Sequence, residues 1–333
     1  MVSRVVVVGG ANWDRIWLLP SLPLPGETLV GDAGPGGPGG KALNIAVGLV
    51  RLNAEAALVA RVGRDVEGDA LLAVLRDEGV ELGGIERVEP PTGAAAILVG
   101  GGESTIAVAA GANAALDGDA VTTSLARCGE GCELIVLQAE AGDSALLAAV
   151  RWALERRSGV AAIPPGRQAP PVLVLSPAPS RTLPDEVWRA SDAVICNRRE
   201  AAAHTGLTVD DPLDAEEAAI ALCARGPATA VVTLGADGAV VARGGRATYL
   251  PPFTVDAVDP TGAGDSAAAA FSRAVLEGFD IFAATGYAMA AAALSVTRPG
   301  AASSMPTADE VDRIVHSVDL RRDPGTMPVE FHF

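Results

Sequence analysis

From residue 258 to 266 the chain reads Val-Asp-Pro-Thr-Gly-Ala-Gly-Asp-Ser, and Asp265 closes a Gly-rich turn ahead of a long apolar run. Pro260 fixes its own φ, while Gly262 and Gly264 lift the steric bar on tight or left-handed turns. Successive N–H groups of such a turn converge at a helix N-terminus and make a place for an anion. A carboxylate beside a bound phosphate repels it, so Asp265 makes chemical sense as the group that takes a proton from an attacking hydroxyl. The plainer alternative is a helix cap, a favoured role for Asp. This stretch alone does not separate the two.

Lys41 is a second pointer. It is the one lysine among 25 lysines and arginines, and it directly follows Gly39-Gly40. An ammonium is a compact, mobile point charge that can follow a phosphoryl or sugar oxygen, which a planar guanidinium does less well. At a helix start it opposes the dipole, so it asks for a reason beyond solvation. Asn12 and Asp14 come just after the apolar run Arg4–Val8. They are either turn formers or groups emerging at the edge where open α/β sheets bind ligands. Glu140 is a helix-entry acid or a ligand-facing one. Asn197-x-x-Glu200 has the spacing of a capping box. Met289 sits in an Ala-rich helix where packing is the plain reading, and His204, His316 and His332 carry no motif.

These groups need a scaffold, and the hydrophobic pattern supplies one. Strands are predicted at residues 4–8, 56–62, 134–137, 172–175, 193–196 and 230–234, with helices at 41–53, 67–78, 143–157, 214–225, 266–278, 282–295 and 307–316. Residues 94–99 and 104–109 alternate around three glycines as a hairpin, and 238–241 with 246–250 form another. Residues 253–255 are also strand-like. The Pro/Gly-rich excursion at 20–40 is too long for a simple turn. Together with the first hairpin it predicts a small β lid built from segments 12–38 and 90–112. Segment 158–171 reads as a surface loop and 318–333 as a loose arm or an oligomer contact. The expectation is one doubly wound, mostly parallel α/β domain over residues 1–333.

Composition narrows the partners. The chain has 333 residues, 49% of them hydrophobic, and a net charge of −16, which argues against nucleic acid or an anionic membrane surface. A small anionic ligand then needs a local positive site. No apolar run approaches a membrane span, and no signal-peptide layout precedes the first strand. Cys128, Cys132, Cys196 and Cys223 show neither zinc spacing nor a disulfide framework, so a reduced cytoplasmic enzyme is expected. The first turn lacks the third glycine of a dinucleotide fingerprint. Gly40-Lys41 lacks the first glycine and the Ser/Thr of a P-loop, since Pro35 and Ala42 hold those places.

The combination of stretches resembles the ribokinase-like (PfkB) carbohydrate kinases over nearly the whole chain. Its two signatures are matched by Gly39-Gly40-Lys41-Ala42-Leu43-Asn44 and by Asp259-Pro260-Thr261-Gly262-Ala263-Gly264-Asp265. Between and around them, in order, lie Asn12-x-Asp14, Pro25-Gly26-Glu27-Thr28, Arg61-Val62-Gly63-x-Asp65-x-x-Gly68, Gly111-Ala112-Asn113, Asn197-x-x-Glu200, Thr233-x-Gly235 and Val296-Thr297-Arg298-x-Gly300-Ala301. Within the family, residues 102–116 are most similar to the ribokinase branch.

The resemblance implies ATP-dependent phosphorylation of the primary hydroxyl of a small sugar, ribose or a related pentose or ketose. A nucleoside or acidic-sugar kinase, or a non-catalytic sugar or nucleotide sensor, is the alternative. Asp265 would be the base, and Gly262, Ala263 and Gly264 would present amides to the moving phosphoryl. Asn12, Asp14, Gly39, Gly40, Lys41, Asn44 and Glu140 would hold the sugar. Asn197, Thr233, Gly235 and Met289 would serve the nucleotide, and Glu200 would reach Mg²⁺ through water. Asp259, Thr261, Ser295, Arg298, Gly300 and Ser304 would surround a monovalent cation, K⁺, with the Arg298 side chain as the protein cation that could replace it. A homodimer through the lid is implied too. Trp13 and Trp17 depart from the pattern as bulky groups beside the implied sugar site.

Overall fold

The apolar runs become the buried strands of an eight-stranded sheet in the computed structural model of the chain, which describes residues 4–158 and 171–319. Strand β1 (Arg4–Val8) lies between β5 (Glu55–Val59) and β10 (Leu134–Gln138). Beyond β10 come β11 (Val172–Ser176), β12 (Ala193–Asn197) and β13 (Thr229–Thr233), all parallel. An antiparallel pair, β14 (Ala239–Arg243) and β15 (Arg246–Leu250), finishes that edge. Residues Val5 to Val8 align with Leu134 to Leu137 on one side and with Ala56 to Val59 on the other. Chain order therefore reverses between β1 and β10. Ligands of open α/β sheets bind at such a reversal, beyond the carboxyl ends of the strands.

Alternation along each strand feeds two cores. Val5, Val7, Leu134 and Val136 pack with α1 (Lys41–Arg51), α2 (Val66–Glu78), α8 (Ala263–Leu276), α9 (Ile281–Ser295) and α10 (Ala308–Asp319). Val6, Val8, Ile135 and Leu137 pack on the other face with α3 (Gly118–Cys128), α4 (Asp143–Ser158), α5 (Asp185–Ala190), α6 (Arg198–Thr205) and α7 (Pro212–Ala224). The helix starts carry their own chemistry. Asp211 caps α7 by accepting from the amides of Leu213 and Asp214, with Pro212 in the first turn, and Asp280 caps α9 in the same way.

The lid is a five-stranded sheet. Its strands are β2 (Asn12–Leu19), β3 (Asp32–Ala33), β4 (Gly37–Gly39), β8 (Gly93–Gly100) and β9 (Glu103–Ala109). Strand β2 pairs antiparallel with β3 and β4 and parallel with β8, so the two lid segments meet along the full length of β2. Two short strands, β6 (Arg61–Gly63) and β7 (Glu86–Val88), pair beside it.

Several expectations change. The strand predicted at 56–62 is two strands, because β6 leaves the main sheet to pair with β7. Residues 253–255 form no strand. Helices α3, α5 and α6 escape the sequence reading: α5 and α6 run only six and eight residues, while α3 does carry an apolar face, Val121, Leu125 and Cys128. Helix α8 begins at Ala263 rather than Ser266, since Gly262 takes the N-cap with φ of 79°. Most of segment 158–171, and residues 320–333 of the expected tail, lie outside the described residues.

One crossing places the chemistry. On α1, Asn44 and Gly48 share a face four residues apart; on α8, Asp265 and Ala269 do the same. A Cβ built on Gly48 would stand 2.9 Å from the Ala269 Cβ, so the helices approach as closely as a glycine allows. Leucine favours a helix by nearly 1 kcal/mol over glycine, so propensity alone says that Gly48→Leu should raise the thermal midpoint. The crossing says the opposite, because overpacking a filled contact costs about 1–3 kcal/mol or more. We expect a lower midpoint by calorimetry, and a rise would mean the crossing is loose.

Candidate active site

Asp265 lies in the first turn of α8 and is 5% exposed. It does not cap that helix. Its Oδ2 accepts from Asn44 Nδ2 at 2.8 Å, and its Oδ1 is 3.9 Å from Lys41 Nζ, so both oxygens are turned to α1. Burial pushes its pKa up, while Lys41 and the Asn44 bond pull it back. Gly262 fits its place because φ is positive and a Cβ there would sit 3.0 Å from the Ala301 Cα. Within the turn the Ala263 amide donates to the Pro260 carbonyl at 3.3 Å and the Ser266 amide to the Gly262 carbonyl at 2.8 Å. The expectation that Ala263 offers its own amide outward is corrected accordingly. The amides of Gly264 and Asp265 fall in the first turn of α8, whose N–H groups have no intrahelical acceptor and are left as donors for a ligand.

Around Lys41 gathers a cluster of acceptors. The Lys41 amide donates to Glu140 Oε2 at 3.1 Å, joining the start of α1 to the turn after β10. Asp14 stands on β2 opposite Gly37, and a Cβ on Gly39 would fall 2.3 Å from the Asp14 carboxylate. Gly40 is the N-cap of α1. Asn12 is 3% exposed; its Oδ1 accepts from Asn113 Nδ2 at 2.7 Å, which leaves its own amide protons for a ligand. The Asn44 Oδ1 and the Ser266 Oγ are buried without a hydrogen-bond partner among the described residues. Burial pushes Asp14 up to about 6, with Asp265 adding to it and Lys41 opposing. Burial likewise pushes Glu140 up to about 7, opposed by Lys41 and reinforced by Asp265. The Lys41 ammonium is stabilised first by Asp265, against burial. Trp13 and Asp14 are neighbours on a strand and point to opposite faces. Trp13, expected beside the sugar site, is half-buried against the core that α1, α2 and α8 to α10 share, on the strand face away from Asp14.

A cleft of about 190 Å³ opens from this cluster toward β12 and β13. Lys41, Asn197, Glu200, Thr233, Gly262, Ala263, Gly264 and Asp265 all line it. Asn197 and Glu200 do form the capping box of α6, each side chain taking the other's amide at 2.9 Å. The same carboxylate feels Lys41 and Asp265, and burial raises its pKa. Gly235 and Met289 stay off this lining, and Met289 is 8% exposed within the core.

Asp259 brings two distant segments together. Its Oδ1 accepts from the Thr261 amide at 2.9 Å and its Oδ2 from the Gly300 amide at 2.8 Å. The Val296 carbonyl returns two bonds, from the amides of Val258 and Asp259. Burial works against the Asp259 charge, but the hydrogen bonds from Thr261 and Gly300 outweigh it and hold the pKa below the usual range. Ser295 and Ser304 are fully buried nearby in sequence, each hydroxyl donating to a local carbonyl. The Arg298 guanidinium bonds Glu310 at 2.5 Å, so its charge is spent there rather than beside Asp259.

Some residues escaped the sequence reading. Gln138 is fully buried: its Nε2 donates to the Ala178 carbonyl and its Oε1 accepts from the Glu140 amide. Ser176 and Ala178 line the cleft. A signal was available. Four successive apolar strands end in one polar residue each, Gln138, Ser176, Asn197 and Thr233, at the edge where ligands bind.

Three comparisons bear on this arrangement. The family model described as pfkB family carbohydrate kinase matches residues 2–308. A ribokinase of Haemophilus influenzae is 34% identical over 312 residues, covering 93% of this chain and 97% of its own. A deoxyribokinase of Salmonella typhi is 30% identical over 312 residues, 92% of this chain and 96% of its own. Among solved structures, Arabidopsis thaliana ribokinase complexed with ribose and ATP superposes with a TM-score of 0.80 at 27% identity, covering 95% of this chain and 99% of its own.

The acceptor cluster has a measurable cost. Glu140 holds its proton more tightly in the fold than in the unfolded chain. Its contribution to stability is therefore present at low pH and lost as pH rises through about 7. Glu140→Gln stays neutral throughout. It should melt above the wild-type protein at pH 8, and the difference should fade toward pH 3, below the unfolded value of 4.5, where Glu140 is protonated in either state. Melting below wild type at pH 8 would mean that the bond to Lys41 outweighs burial.

Proposed function

Because the chain belongs to the pfkB family of carbohydrate kinases and is thus an ATP-dependent sugar kinase, we propose that its acceptor is ribose or a closely related pentose or ketose, phosphorylated on the primary hydroxyl with Asp265 as base. The observation that carries this is the surplus of buried acceptors. Asp14, Glu140 and Asp265 all act on the one Lys41 ammonium, the Asn44 Oδ1 beside Asp265 has no partner among the described residues, and each of these carboxyls, once ionised, can only accept. A polyhydroxylated ligand supplies the donors that such a cluster lacks. The names of the Haemophilus influenzae and Salmonella typhi relatives support ribose or deoxyribose. A nucleoside acceptor would need Trp13 as a shelf for its base, and Trp13 is half-buried on the strand face opposite Asp14.

In this reading Asn44 orients the Asp265 carboxylate, and Asp265 takes the hydroxyl proton as the oxygen attacks. Lys41 follows the phosphoryl oxygens, and the amides of Gly264 and Asp265 meet the charge that builds on them. Closing the lid over the cluster keeps water from competing as acceptor. Glu200 keeps one carboxylate oxygen outside its capping bond, a fit for Mg²⁺ bound through water. Among the described residues no three His, Cys, Asp or Glu side chains converge to hold a metal, which suits an ion carried largely by phosphates and water. When bound, Mg²⁺ neutralises charge across the phosphates. Met289 and Gly235 are kept as adenine-side residues beyond the cleft. We also propose a cytoplasmic homodimer joined through the lid. All of β9 is exposed at the sheet edge, Ile106 and Val108 at 57% each, an edge that a second copy would cover. No helix of the described residues is long and apolar enough to cross a membrane.

The function is tested with Mg-ATP and a panel of ribose, 2-deoxyribose, fructose and nucleosides, read as ADP release. A pentose should lead the panel. On that substrate Asp265→Asn should lower kcat by roughly 10²–10⁴-fold with nucleotide affinity nearly unchanged. A variant that keeps most of its turnover would remove Asp265 from the base role, and a nucleoside in first place would overturn the substrate.

The Asp259 loop supports a K⁺ site made of Asp259 with the carbonyls of Thr261, Ser295, Arg298 and Gly300 and with Ser304. Asp259 is held ionised and already ties the turn to Gly300, so the residues fit a large cation with an oxygen shell. Such an ion would act by holding the turn in shape, away from the sugar. KCl should raise turnover above choline chloride at matched ionic strength, through kcat or ATP affinity, and Asp259→Ala should remove that dependence with most of the activity. Equal rates in both salts would eliminate the site.

A further inference from the structure

A second cavity, of about 420 Å³, lies on the other side of the loop that follows β11. It is lined by Ser180, Arg181, Thr182, Ala203, His204 and Arg225. The loop serves both spaces, since Ser176 and Ala178 line the nucleotide cleft and Ser180 to Thr182 line this one. In a chain with 41 Asp and Glu against 25 Lys and Arg, a lining with no carboxylate stands out; Asp143 neutralises Arg181 and burial holds His204 toward its neutral form, which leaves Arg225 as its positive group.

Both guanidiniums are held in place before any ligand arrives. Arg225 stacks 4.0 Å over the Trp188 ring and donates from Nη1 to the His204 carbonyl at 3.0 Å. Its remaining N–H groups have no partner among the described residues. Arg181 is spent on the protein itself: it donates to the carbonyls of Ala139, Ala141 and Thr182 at 3.0, 2.7 and 3.1 Å and pairs with Asp143. His204 is fixed edge-on to Trp188 at 5.0 Å, with Nε2 against the Pro177 carbonyl. Of the acids near the two arginines, Asp143 neutralises Arg181 through their ion pair, while Asp185 acts on Arg225 only through its field; neither lines the cavity. Planar donors flanked by hydroxyls match the several oxygens of a phosphate better than the two of a carboxylate. The volume exceeds what a bare phosphate fills.

We propose that this cavity binds the phosphate group of a small phosphate monoester, between Arg225 and the hydroxyls of Ser180 and Thr182, apart from the nucleotide cleft. The full chain is titrated by calorimetry and ³¹P NMR with inorganic phosphate and, separately, with ribose 5-phosphate. The cleft is first filled by Mg²⁺ and a non-hydrolysable ATP analogue. Saturable binding is expected, at least tenfold weaker in Ser180→Asp and in Arg225→Gln. Ser180 is exposed, so its variant should keep the fold, checked by melting. Tighter binding of the sugar phosphate assigns the occupant as a monoester, and equal binding assigns it as free phosphate. No saturable binding, or binding unchanged in both variants, overturns the site.

Discussion

The bond from Asn44 to Asp265 is the constraint on which the site depends, and it exists because two helices cross at glycine distance. Asn44 sits one turn above Gly48 on α1, and Asp265 one turn above Ala269 on α8. A larger residue at position 48 would lengthen the 2.8 Å contact before any catalytic atom was touched. The same crossing carries Lys41 to the mouth of the cleft, since it opens α1 three residues before Asn44. Small residues along α8 and α9 serve this approach. The alanine-rich composition is thus a geometric requirement of the site as much as a choice of core filling.

Electrostatics at the crossing are deliberately unbalanced. Lys41 answers to Asp265 first, and Glu200, Glu140 and Asp14 act on it as well. One ammonium cannot satisfy four carboxyl groups, so burial leaves Asp14, Glu140, Glu200 and Asp265 all with raised pKa. An unliganded protein would gain by losing some of them, in line with the general trade of stability for function. The imbalance is relieved by a ligand that brings hydroxyl protons. Recognition and strain are here the same feature.

Much of this was legible in the sequence, and the limits have physical causes. The main strands announce themselves as apolar runs, because a parallel strand is buried on both faces. The Gly-rich turn before Asp265 was visible from residue types alone. What sequence could not supply was partnership across distance. Nothing local to Asp259 says that Gly300, 41 residues on, will donate to it. Whether Asp265 is cap or acceptor turned on helix α8 starting two residues before it, and boundaries of that kind are set by packing. Trp13 was misplaced because its strand begins at Asn12, and alternation then sends it to the face opposite Asp14.

The topology explains why so many weak signals converge on one edge. Reversal of chain order between β1 and β10 opens a crevice there, and the strands beyond it each end in a polar residue pointing toward the same space. Gln138 uses its two ends to link the Glu140 amide with the Ala178 carbonyl, so the sugar side and the nucleotide side share one buried amide. Arg181 grips the carbonyls on either side of Glu140 from below the same loop. Glu140 therefore stands on a segment fixed at three backbone points, which is how a carboxyl raised to about 7 can be kept in place against its own desolvation. A site built from a buried, under-neutralised acid needs that kind of external brace, and here the brace comes from the neighbouring strand end rather than from the site itself.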